Sequence, residues 1–114
     1  MDRSLLRLRD IVDSIDQIDL LLSGRTLADL SQDRVMRAAY ERFLEIVSEA
    51  SRHVSSELKT QAGEIPWRRV ADLGNHLRHA YQKIDAETLW NLHANGELAL
   101  LRKAALRLMG DAAP

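Results

Sequence analysis

Between Ser31 and Leu58 the apolar residues Val35, Met36, Ala39, Phe43, Ile46, Val47, Ala50, Val54 and Leu58 recur at helical spacing, and no glycine or proline interrupts them. That spacing places one apolar stripe along an α-helix, whereas a half-buried strand would alternate every second residue. The run predicts a helix capped by Ser31 and reaching about Leu58, roughly 40 Å long at ~1.5 Å per residue. A helix of that length in a 114-residue chain makes its neighbours lie alongside it. The expected fold is therefore all-α, a single domain over residues 1–114 built as an elongated, largely antiparallel bundle of about five helices. No segment joins two-residue alternation to β-branched enrichment, so no sheet is expected.

The other elements follow from their start and stop signals. A first helix is expected from about Arg3 to Leu22, with Asp2 as N-cap, Gly24 as a left-handed terminator, and Leu8, Ile11, Val12, Ile15, Ile18 and Leu22 as its apolar stripe. Thr26 with Asp29 has the spacing of a capping box for a short helical turn. Lys59 to Ile65 contains Gly63 and precedes Pro66, which reads as a connecting loop. After the central helix, Asp85 is placed to cap a short helix through about His93, and Asn95-Gly96 breaks the chain. A last helix from Glu97 to Met109, with Leu98, Leu101, Ala105 and Leu108 facing inward, is expected to stop at Gly110, leaving a frayed tail.

Charge and cysteine usage limit the chemistry. With no cysteine there is neither a disulfide nor a thiolate metal site. A formal net charge of −1 argues against coating nucleic acid by global attraction. The distribution is uneven, however: Arg68, Arg69, Arg78 and Lys83 face only Asp72 between Pro66 and Lys83, whereas Asp10, Asp13, Asp16 and Asp19 lie on the first helix. The N-terminus alternates apolar and charged residues and has no uninterrupted apolar core, so it reads neither as a signal peptide nor as a membrane span. The cytoplasm is the expected compartment.

The stretch from Ile65 to Asp85 carries the candidate site. Pro66 suits the first helical position, where its missing N–H would have no partner, and Ile65 before it is pushed towards an extended conformation. At ~100° per residue Val70, Leu73, Leu77, Ala80 and Ile84 share one face, and Arg68, Asp72, Asn75, His79 and Gln82 fall roughly opposite. His79 therefore points away from the core; on periodicity alone a solvated surface histidine is the simpler reading of it. Asn75, Arg78 and His79 form one contiguous surface cluster at helical spacing. A histidine with its ordinary pKa of about 6.5 suits proton transfer near neutral pH, and an arginine fork suits phosphate. His76 and His79 alone, with no carboxylate or thiolate beside them, make weak metal ligands, so neither metal nor other cofactor is expected. Glu49 reads as a flank-exposed carboxylate, and Trp67 and Trp90 as core or interface anchors. Tyr81 lies nearer the apolar stripe than His79 does.

Ile65-Pro66-Trp67, the Asn75-x-x-x-His79-x-Tyr81 run, Val47-Ser48-Glu49-Ala50 and the Trp90 region together resemble the HepT-like toxins of the HEPN superfamily. The resemblance covers most of the chain. It implies an all-helical, homodimeric domain and a metal-independent endoribonuclease acting on RNA. On that pattern His79 is the acid/base residue and Asn75 a polar helper. The resemblance further implies a partner, a nucleotidyltransferase antitoxin of the MntA type that silences the toxin by attaching AMP to Tyr81. One position departs from the family: the signature runs Arg-Asn-x-x-x-His, and Gly74 stands where that arginine belongs. Arg78 is the nearest substitute. Two other readings stay open, a catalytically inactive bundle that is partner or substrate of the nucleotidyltransferase, and a helical interaction domain of no further definition.

Overall fold

Short polar side chains set the start of four helices. Thr26 and Asp29 close the expected capping box, the Thr26 N–H donating to Asp29 Oδ2 at 2.9 Å and the Asp29 N–H to Thr26 Oγ1 at 3.2 Å. Asp33 Oδ1 accepts from the N–H groups of Val35 and Met36, both at 3.0 Å. Ser55 Oγ accepts from the Leu58 N–H at 3.3 Å, and Asp85 Oδ1 from the Thr88 N–H at 2.7 Å. Each cap satisfies N–H groups that the first helical turn leaves without an intrahelical partner.

The computed structural model describes residues 3–79 and 84–112. Among the described residues the regular elements are seven helices: α1 (Ser4–Leu22), α2 (Leu27–Gln32), α3 (Arg34–Arg52), α4 (Ser56–Thr60), α5 (Trp67–His79), α6 (Ala86–Ala94) and α7 (Glu97–Ala112). The all-α expectation holds; the short turn foreseen after Thr26 is α2, and α4 is an addition. Asp2, Ala80, Tyr81, Gln82 and Lys83 lie outside the described residues.

The long helix expected over Ser31 to Leu58 is divided. Ser31 belongs to α2, and Asp33, in an extended conformation, caps α3 instead because its carboxylate reaches two N–H groups at once. At the other end α3 stops at Arg52, since the Ser55 N–H turns to Ser4 Oγ at 2.9 Å while the Ser55 hydroxyl starts α4. Ala50, Val54 and Leu58 stay buried before, within and after the break, so apolar spacing alone could not reveal it. Gly24 and Gly96 adopt left-handed φ of 73° and 81° and end their helices as expected. Gly110 has no such conformation, and α7 runs through it to Ala112.

Helix α1 sits at the centre, packed on α3 and α7, and α3 in turn carries α5 on its far side. The order α7, α1, α3, α5 is antiparallel throughout. Ser55 meets Ser4, Arg102 Nε donates to Asp16 Oδ1 at 2.7 Å, and Arg52 Nη2 reaches the Ala71 carbonyl at 3.1 Å. The predicted stripe of α1 is buried from Leu8 to Leu22. Helices α2 and α6 close one end, where the buried Tyr40 hydroxyl donates to the Leu89 carbonyl at 2.5 Å. Burial pushes that phenol's pKa up, with Glu97 adding to the effect, so it remains a donor. The molecule measures 45 × 30 × 22 Å, elongated as the sequence suggests. No helix among the described residues is long and apolar enough to cross a membrane.

Candidate active site

Helix α5 lies on the outside of the bundle, and its extensive contact among the described residues is with α3 alone. What lets it settle there is a serine opposite a glycine. Ser48 Oγ accepts from the Gly74 N–H at 2.9 Å and donates to the Ala71 carbonyl at 2.9 Å. A Cβ on residue 74 would stand 2.8 Å from Ser48 Oγ and 3.2 Å from Ser48 Cβ. Gly74 is the one fully buried residue of α5. A side chain growing from position 74 would have to push the two helices apart.

Arg78 uses the space that results. Its Nη1 lies 3.1 Å from the point where a Cβ of residue 74 would be, and its Nη2 donates to Asn75 Oδ1 at 3.0 Å. The guanidinium is thus folded back along the helix and rests above Gly74, tethered to the residue that follows. Asn75 and His79 are exposed and stand one above the other at i and i+4, so the three residues singled out in the sequence lie together on one open face. His76 is exposed on the same helix, as are Arg68, Arg69 and Asp72. The opposite stripe, Val70, Leu73 and Leu77, is only half-buried. Tyr81 lies outside the described residues.

Beside this face a cleft of about 290 Å³ runs between α3 and α5, lined by Arg34, Arg37, Glu41, His76, Leu77 and Ile84. Arg37 is held from two sides, by Glu41 Oε2 at 3.0 Å from its Nε and by the Ile84 carbonyl on its Nη2. Neither Arg34 nor Arg37 stood out in the sequence, where they lie some forty positions from His76. The antiparallel pairing of α3 with α5, legible only in three dimensions, brings them to it. At the edge of the cleft the Thr88 N–H, then the Thr88 hydroxyl and the nearby Arg37, hold the Asp85 carboxyl below the usual carboxylate range.

Other singled-out residues fall elsewhere. Glu49 is exposed beside His53, with 3.2 Å between Oε1 and Nε2. Trp67 packs half-buried against the core and donates from Nε1 to the Ala62 carbonyl at 3.0 Å. Trp90 packs against the core too and meets the His93 ring edge-on. Among the described residues no group of three or more His, Asp or Glu side chains is arranged to hold a metal ion.

The model of a family described as ribonuclease HepT-like matches residues 11–108, nearly the whole chain and all of the site. The chain belongs to the HepT-like ribonuclease family. A protein of Thermococcus cleftensis named a probable ribonuclease HepT is 35% identical to it over 83 residues, covering 73% of this chain and 76% of that protein. A second relative of this HepT-like chain, from Methanocaldococcus jannaschii and provisionally named an RNase, is 29% identical over 85 residues, 75% of this chain and 78% of its own. No solved structure gives a significant match.

Proposed function

We propose that this HepT-like chain is a metal-independent endoribonuclease, the toxin of a toxin–antitoxin pair, in which Arg78 has taken over the phosphate-binding role of the arginine that Gly74 displaces. The observation that carries this reading is the guanidinium of Arg78 lying over Gly74 and tethered to Asn75 Oδ1. The tether uses only part of the fork's donor set, leaving N–H groups for a phosphate.

In the proposed reaction the 2′-oxygen of one nucleotide attacks the adjacent phosphorus and loses its proton to a base. The 5′-oxygen leaves with a proton from an acid, and a 2′,3′-cyclic phosphate remains. Charge gathers on the non-bridging oxygens of the crowded phosphorane, where Arg78 stabilises it. His79, exposed beside it, is the proton-transfer group, with Asn75 as the polar residue that holds the arginine in register.

Two transfers call for two such groups, and a homodimer supplies the second His79 from the partner copy. Support for the dimer comes from α5 itself, an outer helix whose Asn75, Arg78 and His79 lie together on one open face. Tyr81, in the same motif, is the proposed acceptor of AMP from a nucleotidyltransferase antitoxin. Incubation with that enzyme and ATP should label the chain, and Tyr81→Phe should abolish the label.

The tight seat of Gly74 on Ser48 favours one alternative, a bundle that has given up catalysis and serves as partner or substrate of the nucleotidyltransferase. Incubating antitoxin-free protein with RNA in a chelator separates the two. Cleavage that disappears in His79→Ala supports the nuclease; no cleavage by the unaltered protein supports the alternative.

A further inference from the structure

We propose that the cleft between α3 and α5 is a second backbone subsite for single-stranded RNA, in which Arg34, Arg37 and His76 take the phosphodiester next to the one being cleaved. The proposal rests on reading α5 as the RNA-cleaving face and adds to it a place that fixes the strand.

Position comes first. His76 lines the cleft, and His79 stands one helical turn further along, with Cβ atoms about 5–6 Å apart at that spacing. A strand with one phosphate at Arg78 and His79 therefore passes the mouth of the cleft with the next. Charge is the second observation. Two guanidinium groups line the cleft against one carboxylate, and that carboxylate, Glu41, is already engaged by Arg37 at 3.0 Å. Asp85, the other acid near Arg37, is occupied in capping α6 through the Thr88 N–H at 2.7 Å.

Arg37 is pinned between Glu41 and the Ile84 carbonyl, so its remaining N–H groups are oriented before a ligand arrives. Arg34, exposed at the first position of α3, keeps a mobile charge at the outer rim. Form is the third observation. At about 290 Å³, with Leu77 and Ile84 among its lining residues, the cleft suits one sugar-phosphate unit against an apolar flank. Its donors are spread along two helices instead of converging on a point, which matches a passing backbone better than a captured small anion.

Binding is measured by titrating a fluorescent single-stranded RNA with His79→Ala protein, which keeps the cleft and does not cleave, at several salt concentrations. Arg34 is the residue to change, because Arg37 also ties α3 to Ile84 and its loss could disturb the fold. Adding Arg34→Ala is expected to raise Kd about tenfold and to flatten the dependence of log K on log salt by ~0.7, one phosphate contact on a single strand. Arg34→Lys should return most of the salt slope, since it keeps the charge. Unchanged Kd and slope in Arg34→Ala, or no RNA binding by the His79→Ala parent, overturns the subsite. Loss of the nuclease reading looks different: RNA binds with the expected sensitivity to Arg34, yet the unaltered protein leaves it uncut, which supports the subsite and removes the reaction.

Discussion

Replacing Gly74 by alanine adds a single carbon and sets opposed effects against each other. In an exposed helix the change would stabilise by about 1 kcal/mol, because alanine is the better helix former. Here the new Cβ would stand 2.8 Å from Ser48 Oγ, so the hydroxyl must rotate away and give up its bonds to the Gly74 N–H and the Ala71 carbonyl. Those are worth about 1 kcal/mol each. The 3.2 Å approach to Ser48 Cβ cannot be relieved by rotation, and α5 must lift from α3 by a few tenths of an ångström. Overpacking of that kind typically costs about 1–3 kcal/mol. The Arg78 guanidinium, at 3.1 Å, is the free end of a flexible side chain and moves at little cost. The balance is a net destabilisation of about 2–4 kcal/mol, and at ~4 °C per kcal/mol for a domain of this size Tm should drop by roughly 8–16 °C. Thermal unfolding followed by circular dichroism measures it. Combining Gly74→Ala with Ser48→Ala removes the hydroxyl clash, and the pair should show a coupling of about 1 kcal/mol. A Tm for Gly74→Ala equal to or above that of the unaltered protein would refute the reasoning, for helix propensity would then outweigh the packing.

Tyr40→Phe leaves the buried Leu89 carbonyl without the donor it has at 2.5 Å, and thermal melts should show a loss of about 1–3 kcal/mol. Asp85 is held below its ordinary pKa by the Thr88 N–H, so its stabilisation is complete above the unfolded value of about 3.9 and is lost as pH falls through the lower folded value. The acid limb of the stability curve should therefore be shallower in Asp85→Asn, which keeps a capping oxygen but does not titrate there; an unchanged limb would contradict the assignment. Sedimentation at micromolar concentration should give twice the chain mass, and a monomer throughout that range would remove the composite site.

Much of this fold is legible in the chain because core and caps are written locally. The stripe of α1, the Thr26–Asp29 capping box, the Asp85 cap and the glycine terminators at Gly24 and Gly96 each depend on residues within a few positions of one another. The division of the long helix at Arg52 was not legible. It depends on Ser4 accepting the Ser55 N–H at 2.9 Å across the bundle, while apolar residues on both sides keep the same spacing. The site divides in the same way. Asn75, Arg78 and His79 share a face by helical angle, so their grouping could be read in advance. Gly74 showed as a departure from a motif, but its contact with Ser48 is tertiary. Arg34 and Arg37 enter only through the pairing of α3 with α5.

The central claim, that Arg78 does the work of the missing motif arginine, is tested most directly by single-turnover cleavage of RNA in chelator with Arg78→Lys set beside Arg78→Ala. Both changes fall on an exposed side chain, so helix content and Tm should remain close to those of the unaltered protein, within ~0.5 kcal/mol of stability. Loss of the guanidinium in Arg78→Ala should slow cleavage by about 10²–10³-fold, the scale of removing one transition-state donor. Lysine restores the charge without the planar fork, so Arg78→Lys should recover only part of that rate. If instead Arg78→Ala cuts RNA as fast as the unaltered protein while His79→Ala does not, the guanidinium over Gly74 has no part in the reaction and the account is wrong.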